Sequence, residues 1–135
     1  MLNIALNYYN DSKATNTDSA IKALETFNGH IILIVGGDDK GTDLTEFMQL
    51  VKSRVDELIL VGDAAARFKQ SALENGFDES KIHEAGYSMN KAVEIANKIA
   101  RAPQIVLLSP ACASFDMYEG FEARGRDFKQ IVNEL

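Results

Sequence analysis

The sequence of 135 residues contains very little cysteine and histidine, which excludes two common ways of stabilising a small domain. Its single cysteine, Cys112, has no partner for an internal disulfide and is typical of a protein in a reducing compartment. Its two histidines, His30 and His83, are far apart and have no cysteine or histidine neighbour at the spacing of zinc ligands. We therefore predict no structural zinc ion and no metal site.

The sequence also lacks a long apolar run and an excess of positive charge. Its longest apolar segment, residues 31–36, is too short to span a bilayer, and the N-terminus resembles no cleavable signal. Aspartate and glutamate number 20 against 14 lysines and arginines, so general attraction to nucleic acid or anionic lipid is not expected. We predict a cytoplasmic monomer that has no nucleic-acid or membrane partner. Any anion that it binds would be held by residues of a local site and not by the overall charge of the protein.

Strand-like and helix-like segments alternate along the chain. The strand-like segments are residues 2–8, 30–35, 57–61, 81–85 and 104–108. Segments with apolar residues at helical spacing lie between them, and the last one runs from about Phe121 to Asn133. This order predicts one three-layer α/β domain over residues 1–135, with a mostly parallel sheet of five to six strands and helices on both faces.

Three loops that follow predicted strands are rich in polar and small residues. The first loop is NDSKATN at residues 10–16, the second is GGDDKG at 36–41, and the third is SPACASFD at 109–116. Ligands of such folds bind beyond the carboxyl ends of parallel strands, where successive loops share one edge of the sheet. We expect the three loops to meet there.

The first loop has the groups of an anion site. Lys13 offers a full positive charge, Ser12 and Thr15 offer hydroxyls, and Asp11 is suited to a lysine, a ribose hydroxyl or a hydrated metal. The alternative is an ordinary start of a helix, in which Thr15 or Asn16 caps the first turn.

The second and third loops each allow a functional and a structural interpretation. The second loop brings Lys40 toward the same edge but does not match the phosphate-binding motif G-x-x-x-x-G-K-[ST], and its glycines also suit a plain turn. In the third loop, Ser114 and the neighbouring amides suit a carboxylate. We interpret Cys112 as a small buried thiol, because no activating base lies near it in sequence.

A mixed run of charges follows the third loop, from Glu119 to Asp127. We interpret it as a solvated helix face with local ion pairs. The alternative is that Arg124 or Arg126 reaches an anion.

Together with GFEARG at residues 120–125, the three loops stand in the order found in the C-terminal domain of the Mur ligases. The chain resembles that domain from about residue 8 to its end. Other members have a Tyr-Ala-His type of motif in place of SKAT, so the resemblance is to members that add D-glutamate. It implies a Rossmann-like fold and a part in peptidoglycan synthesis.

The resemblance also implies a reaction. In the family, the carboxylate of a substrate such as UDP-N-acetylmuramoyl-L-alanine takes the γ-phosphoryl group of ATP, and the amine of D-glutamate attacks the acyl phosphate. By motif position, Asp11 and Lys13 face ATP, with Lys13 as the catalytic residue. The residues implied around D-glutamate are Lys13, Thr15, Lys40, Ser114 and Phe121.

Two features limit what the resemblance implies. Asp39 stands where a glycine is common, so the approach of Lys40 to the ligand is expected to differ. The family also has an N-terminal domain for the uridine nucleotide and a central P-loop domain that holds ATP and Mg²⁺, and the sequence shows neither. We expect the isolated domain to fold without ligase activity.

The alternative function is a self-contained α/β module that binds or senses a metabolite without catalysis. A phosphoacceptor receiver domain is excluded, because its lysine after the last strand is replaced here by Ser109-Pro110-Ala111. An upstream reading frame that contains a Gly-Lys-Thr P-loop would separate the ligase interpretation from the sensor interpretation.

Overall fold

A computed structural model describes residues 1–5 and 7–135 of the chain. Within these residues it contains a six-stranded sheet, five α-helices and one short 3₁₀ helix, Glu79–Lys81. In chain order the strands and α-helices are β1 Leu2–Ala5, β2 Tyr8–Asn10, α1 Thr17–Glu25, β3 Ile31–Gly36, α2 Thr45–Arg54, β4 Val55–Val61, α3 Ala65–Glu74, β5 Ile82–Glu84, α4 Met89–Ile99, β6 Ile105–Leu108 and α5 Phe121–Asn133.

The sheet has the order β1-β2-β6-β3-β4-β5. Five of its strands, β2 to β6, run parallel, and β1 is paired antiparallel to β2 at the edge. The prediction of a mostly parallel, Rossmann-like α/β sheet is confirmed. Because the parallel strands point the same way, the loops after β2, β3 and β6 leave the sheet at one edge.

The predicted first strand over residues 2–8 is wrong in extent. The chain forms two antiparallel strands here, and Asn7 between them has the left-handed φ of 69°. Residues with a left-handed φ are typical of turns, and asparagine tolerates that conformation better than most residues. Leu6, which belonged to the predicted alternation, lies outside the described residues.

Two apolar cores cover the two faces of the sheet. One packs under α1, α2 and α3 and takes Ile31, Leu33 and Val35 from β3. The other packs under α4 and α5 and takes Ile32 and Ile34 from the same strand. Every residue of β3 is buried, as expected for a strand covered on both faces. Within the described part of the chain, no helix has both the length and the apolar character needed to cross a membrane.

Candidate functional site

The three loops meet at the carboxyl edge of the sheet, as predicted. Asp11 at the start of the first loop donates its backbone N–H to Leu108 O, the last residue of β6, at 2.8 Å. The second and third loops are joined by two backbone hydrogen bonds, from Gly36 to Pro110 at 3.0 Å and from Asp38 to Ala113 at 2.8 Å. The loops thus form one connected surface.

The first loop is fastened to the start of α5. The Asn10 side chain donates to Gly125 O at 2.9 Å and accepts from the backbone N–H of Ser12 at 3.2 Å. The Ser12 hydroxyl donates to Phe121 O at 2.7 Å. A Cβ at Gly125 would lie 3.2 Å from the Ser12 Cβ, so glycine allows this close approach. These bonds fix the backbone on both sides of Asp11 and just before Lys13.

Arg124 completes this attachment from inside the protein. Its side chain is 2 % exposed, and it donates to Ser12 from Nε to the hydroxyl at 3.0 Å and from Nη2 to the carbonyl at 2.8 Å. Burial lowers the pKa of Arg124 to about 10, so the guanidinium stays charged at neutral pH. The interpretation of this charge run as a solvated face is therefore wrong at Arg124. A buried position is stable for arginine here because Ser12 supplies acceptors for its donors.

The end of the first loop also starts a helix. Asn16 precedes α1, and its Oδ1 accepts the backbone N–H of Ser19 at 2.9 Å. The capping alternative is confirmed for Asn16. Thr15 is not the residue that caps this helix.

The second loop passes very close to the third. Gly37 has a φ of 143°, and a Cβ there would lie 2.4 Å from Ala113 O and 3.3 Å from Arg124 Nη1. Only glycine fits this position without a shift of the backbone. Lys40 follows three residues later with an exposed side chain.

Asp39, the residue that departs from the family pattern, forms an ion pair with Arg67 of α3. Arg67 Nε lies 2.8 Å from Asp39 Oδ2, and Arg67 Nη2 donates to Oδ1 at 2.9 Å. The hydrogen bond from Arg67 is the main reason that the pKa of Asp39 lies below its usual range. Asp39 also accepts from the backbone N–H of Gly41 at 2.9 Å, so it braces the turn on which Lys40 sits.

Three buried side-chain atoms near the third loop have no hydrogen-bond partner among the described residues. They are Ser114 Oγ, Asp116 Oδ1 and Arg124 Nη1. Buried polar groups are normally paired, so an unpaired donor and an unpaired acceptor in one region indicate a place that a polar group or water completes. Asp116 Oδ2 does have a partner, the backbone N–H of Asp63 at 2.9 Å.

Cys112, also in the third loop, is a buried thiol. Its side chain is 5 % exposed, and burial raises its pKa to about 12. A thiol that is protonated at neutral pH is neither a nucleophile nor a metal ligand. The interpretation of Cys112 as a small buried residue is confirmed.

The structure divides the predicted site residues between two openings. Thr15 and Lys40 line one cleft, between the first and second loops. Asp11, Lys13 and Phe121 line a separate groove between the first loop and α5. Ser114 is 2 % exposed and borders neither opening. The binding roles of these six residues stay predictions.

Asp11 is held in a partly buried position beside Lys13. Its Oδ2 accepts the Ser109 hydroxyl at 2.9 Å. Burial raises the pKa of Asp11, while the hydrogen bond from Ser109 and the charge of Lys13 act in the opposite direction. The hydroxyl leaves the rest of the carboxylate free to accept further bonds in the groove.

Sequence reasoning missed Arg124 and Arg67 as residues that organise the site. Their acceptors lie 112 and 28 residues away in sequence, at Ser12 and Asp39. The sequence did contain one indication for Arg124. It lies three residues after Phe121, about one helical turn, and therefore on the same side of α5.

The fold is a three-layer α/β domain whose polar loops lie at the sheet edge where ligands of such folds bind. Its sequence matches the family described as "Mur ligase, glutamate ligase domain" over residues 3–112, and the chain belongs to that family. It is 48 % identical over 128 residues to the UDP-N-acetylmuramoylalanine--D-glutamate ligase of Clostridioides difficile (strain 630). The identity is 45 % to the protein of the same name from Alkaliphilus metalliredigens and 47 % to that from Pelotomaculum thermopropionicum.

These alignments cover 95 % of this chain but only 28 % of each relative. The chain therefore spans less than a third of the length of the curated relatives it matches.

Proposed function

We propose that this chain is the D-glutamate-binding domain of a ligase that joins D-glutamate to UDP-N-acetylmuramoyl-L-alanine in cytoplasmic peptidoglycan synthesis. The observation that carries the proposal is the cleft shared by Thr15 and Lys40, because two loops distant in sequence bring a hydroxyl and an ammonium to one place. The names of the relatives support D-glutamate as the amino acid.

The chemistry of D-glutamate suits these residues. Its two carboxylates need charged or hydroxyl donors, and hydrogen bonds between charged groups are the strong ones. Lys40 and Thr15 would hold one carboxylate at the cleft, and Lys13, Ser114 and Phe121 complete the set proposed around the molecule. The amine would then be neutral and directed at the acyl carbon, and positioning of this kind can supply about 7–11 kcal/mol of a barrier.

The cleft itself encloses only about 20 Å³. A space of this size holds about one water molecule, so D-glutamate would bind at the mouth of the cleft. Thr15 and the exposed Lys40 are among the residues that line this cleft.

We assign the nucleotide side of the reaction to Asp11 and Lys13, which line the second groove. The substrate carboxylate attacks the γ-phosphorus of ATP and releases ADP, and the amine of D-glutamate then displaces phosphate from the acyl carbon and loses a proton. Lys13 lines this groove, two residues before Thr15 of the cleft, and its charge would offset the negative charge that develops on the transferred phosphoryl oxygens.

Mg²⁺ neutralises phosphate charge in reactions of this class. Among residues 1–5 and 7–135, no group of three or more histidine, cysteine, aspartate or glutamate side chains is placed to hold a metal ion. In the proposed reaction, Mg²⁺ and most of the ATP site would belong to domains outside this chain.

A titration of the 135-residue chain tests the proposal. We expect D-glutamate to shift the amide NMR signals of Thr15, Lys40 and Ser114, and a nonhydrolysable ATP analogue to shift those of Asp11 and Lys13. L-Glutamate is the matched control and should give weaker shifts. Unchanged signals at both openings with D-glutamate at saturating concentration would refute the assignment.

An activity assay tests whether the chain needs other domains for ATP binding and catalysis. The purified chain alone should form no product from ATP, D-glutamate and UDP-N-acetylmuramoyl-L-alanine. ATP-dependent ligation by the 135 residues alone would contradict the assignment of ATP binding to other domains.

A further inference from the structure

The groove beside the first loop is lined by three cationic side chains from two elements, and Met1 also borders it. Lys13 comes from the first loop, and Arg126 and Lys129 come from α5. Arg126 and Lys129 are three residues apart, so they lie on the same face of the helix. The groove has a volume of about 340 Å³, which is enough for part of a nucleotide-sized ligand.

In the part of the chain that the structure describes, the side chains of Lys13, Arg126 and Lys129 make no hydrogen bond and no ion pair. Arg126 differs in this from the other four arginines of the sequence, all of which donate hydrogen bonds within residues 1–5 and 7–135. The four are Arg54, Arg67, Arg101 and Arg124.

The local charge is opposite to that of the whole chain, whose formal net charge is −6. The groove has two carboxylates, Asp11 and Glu122, against its three cationic side chains. Asp11 already accepts the Ser109 hydroxyl. Glu122 is spaced to pair with Arg126 along the helix, yet the structure shows no ion pair between them. Uncompensated positive charge in an acidic protein favours an anionic ligand at this point.

We propose that Lys13, Arg126 and Lys129 form a binding site for the phosphate chain of a nucleotide. Arginine binds phosphate oxygens through a planar pair of donors, and lysine contributes a compact charge. The inference rests on the proposed function, in which Asp11 and Lys13 face a nucleotide, and it adds Arg126 and Lys129 to that site. The shared ligand chemistry is a phosphate chain, which either ATP or the UDP-linked substrate supplies.

The first test uses tripolyphosphate and the 135-residue chain, so it does not depend on ligase activity. Wild-type protein should bind tripolyphosphate with shifts of the Lys13, Arg126 and Lys129 amide signals. In the double variant Arg126→Gln/Lys129→Gln the dissociation constant should rise about tenfold, because two charged hydrogen-bond donors are lost. Both residues are exposed, so the variant keeps the fold.

The matched control is Lys22→Gln/Lys98→Gln. It removes the same charge from exposed positions on α1 and α4, away from the groove. If the control weakens tripolyphosphate binding as much as the groove variant does, the attraction is a general charge effect and the proposal is overturned. Binding of tripolyphosphate that is unchanged in the groove variant also overturns it.

The second test places the same variants in a full-length ligase that contains this chain and separates the two phosphate sources. A rise of about tenfold in the KM for ATP alone assigns the groove to ATP, and a rise for the UDP-linked substrate alone assigns it to that substrate. If the KM values for both substrates stay within about twofold of wild type, the proposed phosphate site in this groove is contradicted. A wild-type ligase that does not consume D-glutamate refutes the proposed function, while the tripolyphosphate test still decides the groove.

Discussion

Arg124 and Ser12 are joined by two hydrogen bonds across 112 residues of sequence, one to the hydroxyl at 3.0 Å and one to the carbonyl at 2.8 Å. The residue after Ser12 is Lys13, which the proposed reaction requires at a fixed place. A buried guanidinium with two bonds to one residue restrains that residue more tightly than a single contact would. We infer that Arg124 positions Lys13 through Ser12.

Replacing Arg124 by methionine should lower the stability of the chain. The change leaves the Ser12 carbonyl without its donor in a buried place, and we expect a loss of about 2–4 kcal/mol in the free energy of unfolding. Urea denaturation measures it. Arg126→Met on the exposed side of the same helix is the control and should change the stability by less than about 0.5 kcal/mol.

The positioning role of Arg124 has its own readout in the full-length ligase. Arg124→Lys keeps the charge but cannot donate to both Ser12 atoms with the same geometry. We expect kcat to fall about tenfold or more with a smaller change in the KM for D-glutamate. An unchanged kcat in a folded Arg124→Lys enzyme would limit Arg124 to a structural role.

Gly37→Ala should be far more damaging than Gly41→Ala. Both glycines have a positive φ, but a Cβ at Gly37 would meet Ala113 O at 2.4 Å, whereas a Cβ at Gly41 has no atom within 4 Å. Alanine at Gly41 therefore costs backbone strain alone, on the order of 1 kcal/mol, while alanine at Gly37 also forces the second and third loops apart. Equal losses of stability in thermal unfolding would disprove this close packing.

The ion pair between Asp39 and Arg67 should make a small contribution to stability that depends on pH. Because the folded pKa of Asp39 is lowered, its contribution is present above the unfolded pKa of about 4 and disappears as the pH falls through the folded pKa. The pair is partly exposed, with relative exposures of 36 % for Arg67 and 24 % for Asp39, so we expect less than about 1 kcal/mol.

Melting curves of wild type and Asp39→Asn between pH 7 and pH 3 measure this effect. This range spans the pKa of a free aspartate carboxyl, which is about 4. The difference in melting temperature should shrink as the solution is acidified. Asp38→Asn is the control, because Asp38 makes no ion pair within the described residues. A difference that grows at low pH would contradict the assigned direction of the pKa.

Cys112 should resist alkylation in the folded protein. Its thiol is buried and its pKa is raised to about 12, so almost no thiolate is present near neutral pH. Mass spectrometry after iodoacetamide treatment should find Cys112 unmodified in buffer and fully modified in denaturant. Rapid modification in buffer would show that the third loop opens readily.

Most of the sheet could be predicted because its strands carry their pattern locally. The continuous apolar run at residues 31–35 gave β3, and the helical spacing after Phe121 gave α5 with the bounds that the structure shows. The edge strands β1 and β2 were harder to predict. The turn at Asn7 contains no glycine, and the alternation of apolar and polar residues over 2–8 continues through that turn.

The candidate site was predictable only in part, for a physical reason. Lys13, Thr15 and Lys40 follow strands that end at one edge, so topology alone brings their loops together. The burial of Arg124 depends on acceptors at Ser12 that no local pattern reveals, and a charged helix segment is solvated in most proteins. The ion pair of Asp39 with Arg67 on α3 could not be predicted for the same reason.

The most direct measurement of the central claim is the pair of KM values for D-glutamate and ATP in a full-length ligase that carries Lys40→Ala. Lys40 borders the cleft with Thr15, apart from the groove of Asp11 and Lys13. We predict a rise of about tenfold or more in the KM for D-glutamate with little change for ATP, whereas Lys13→Ala should impair both. Equal rises for the two substrates in Lys40→Ala would contradict the assignment of this cleft to D-glutamate.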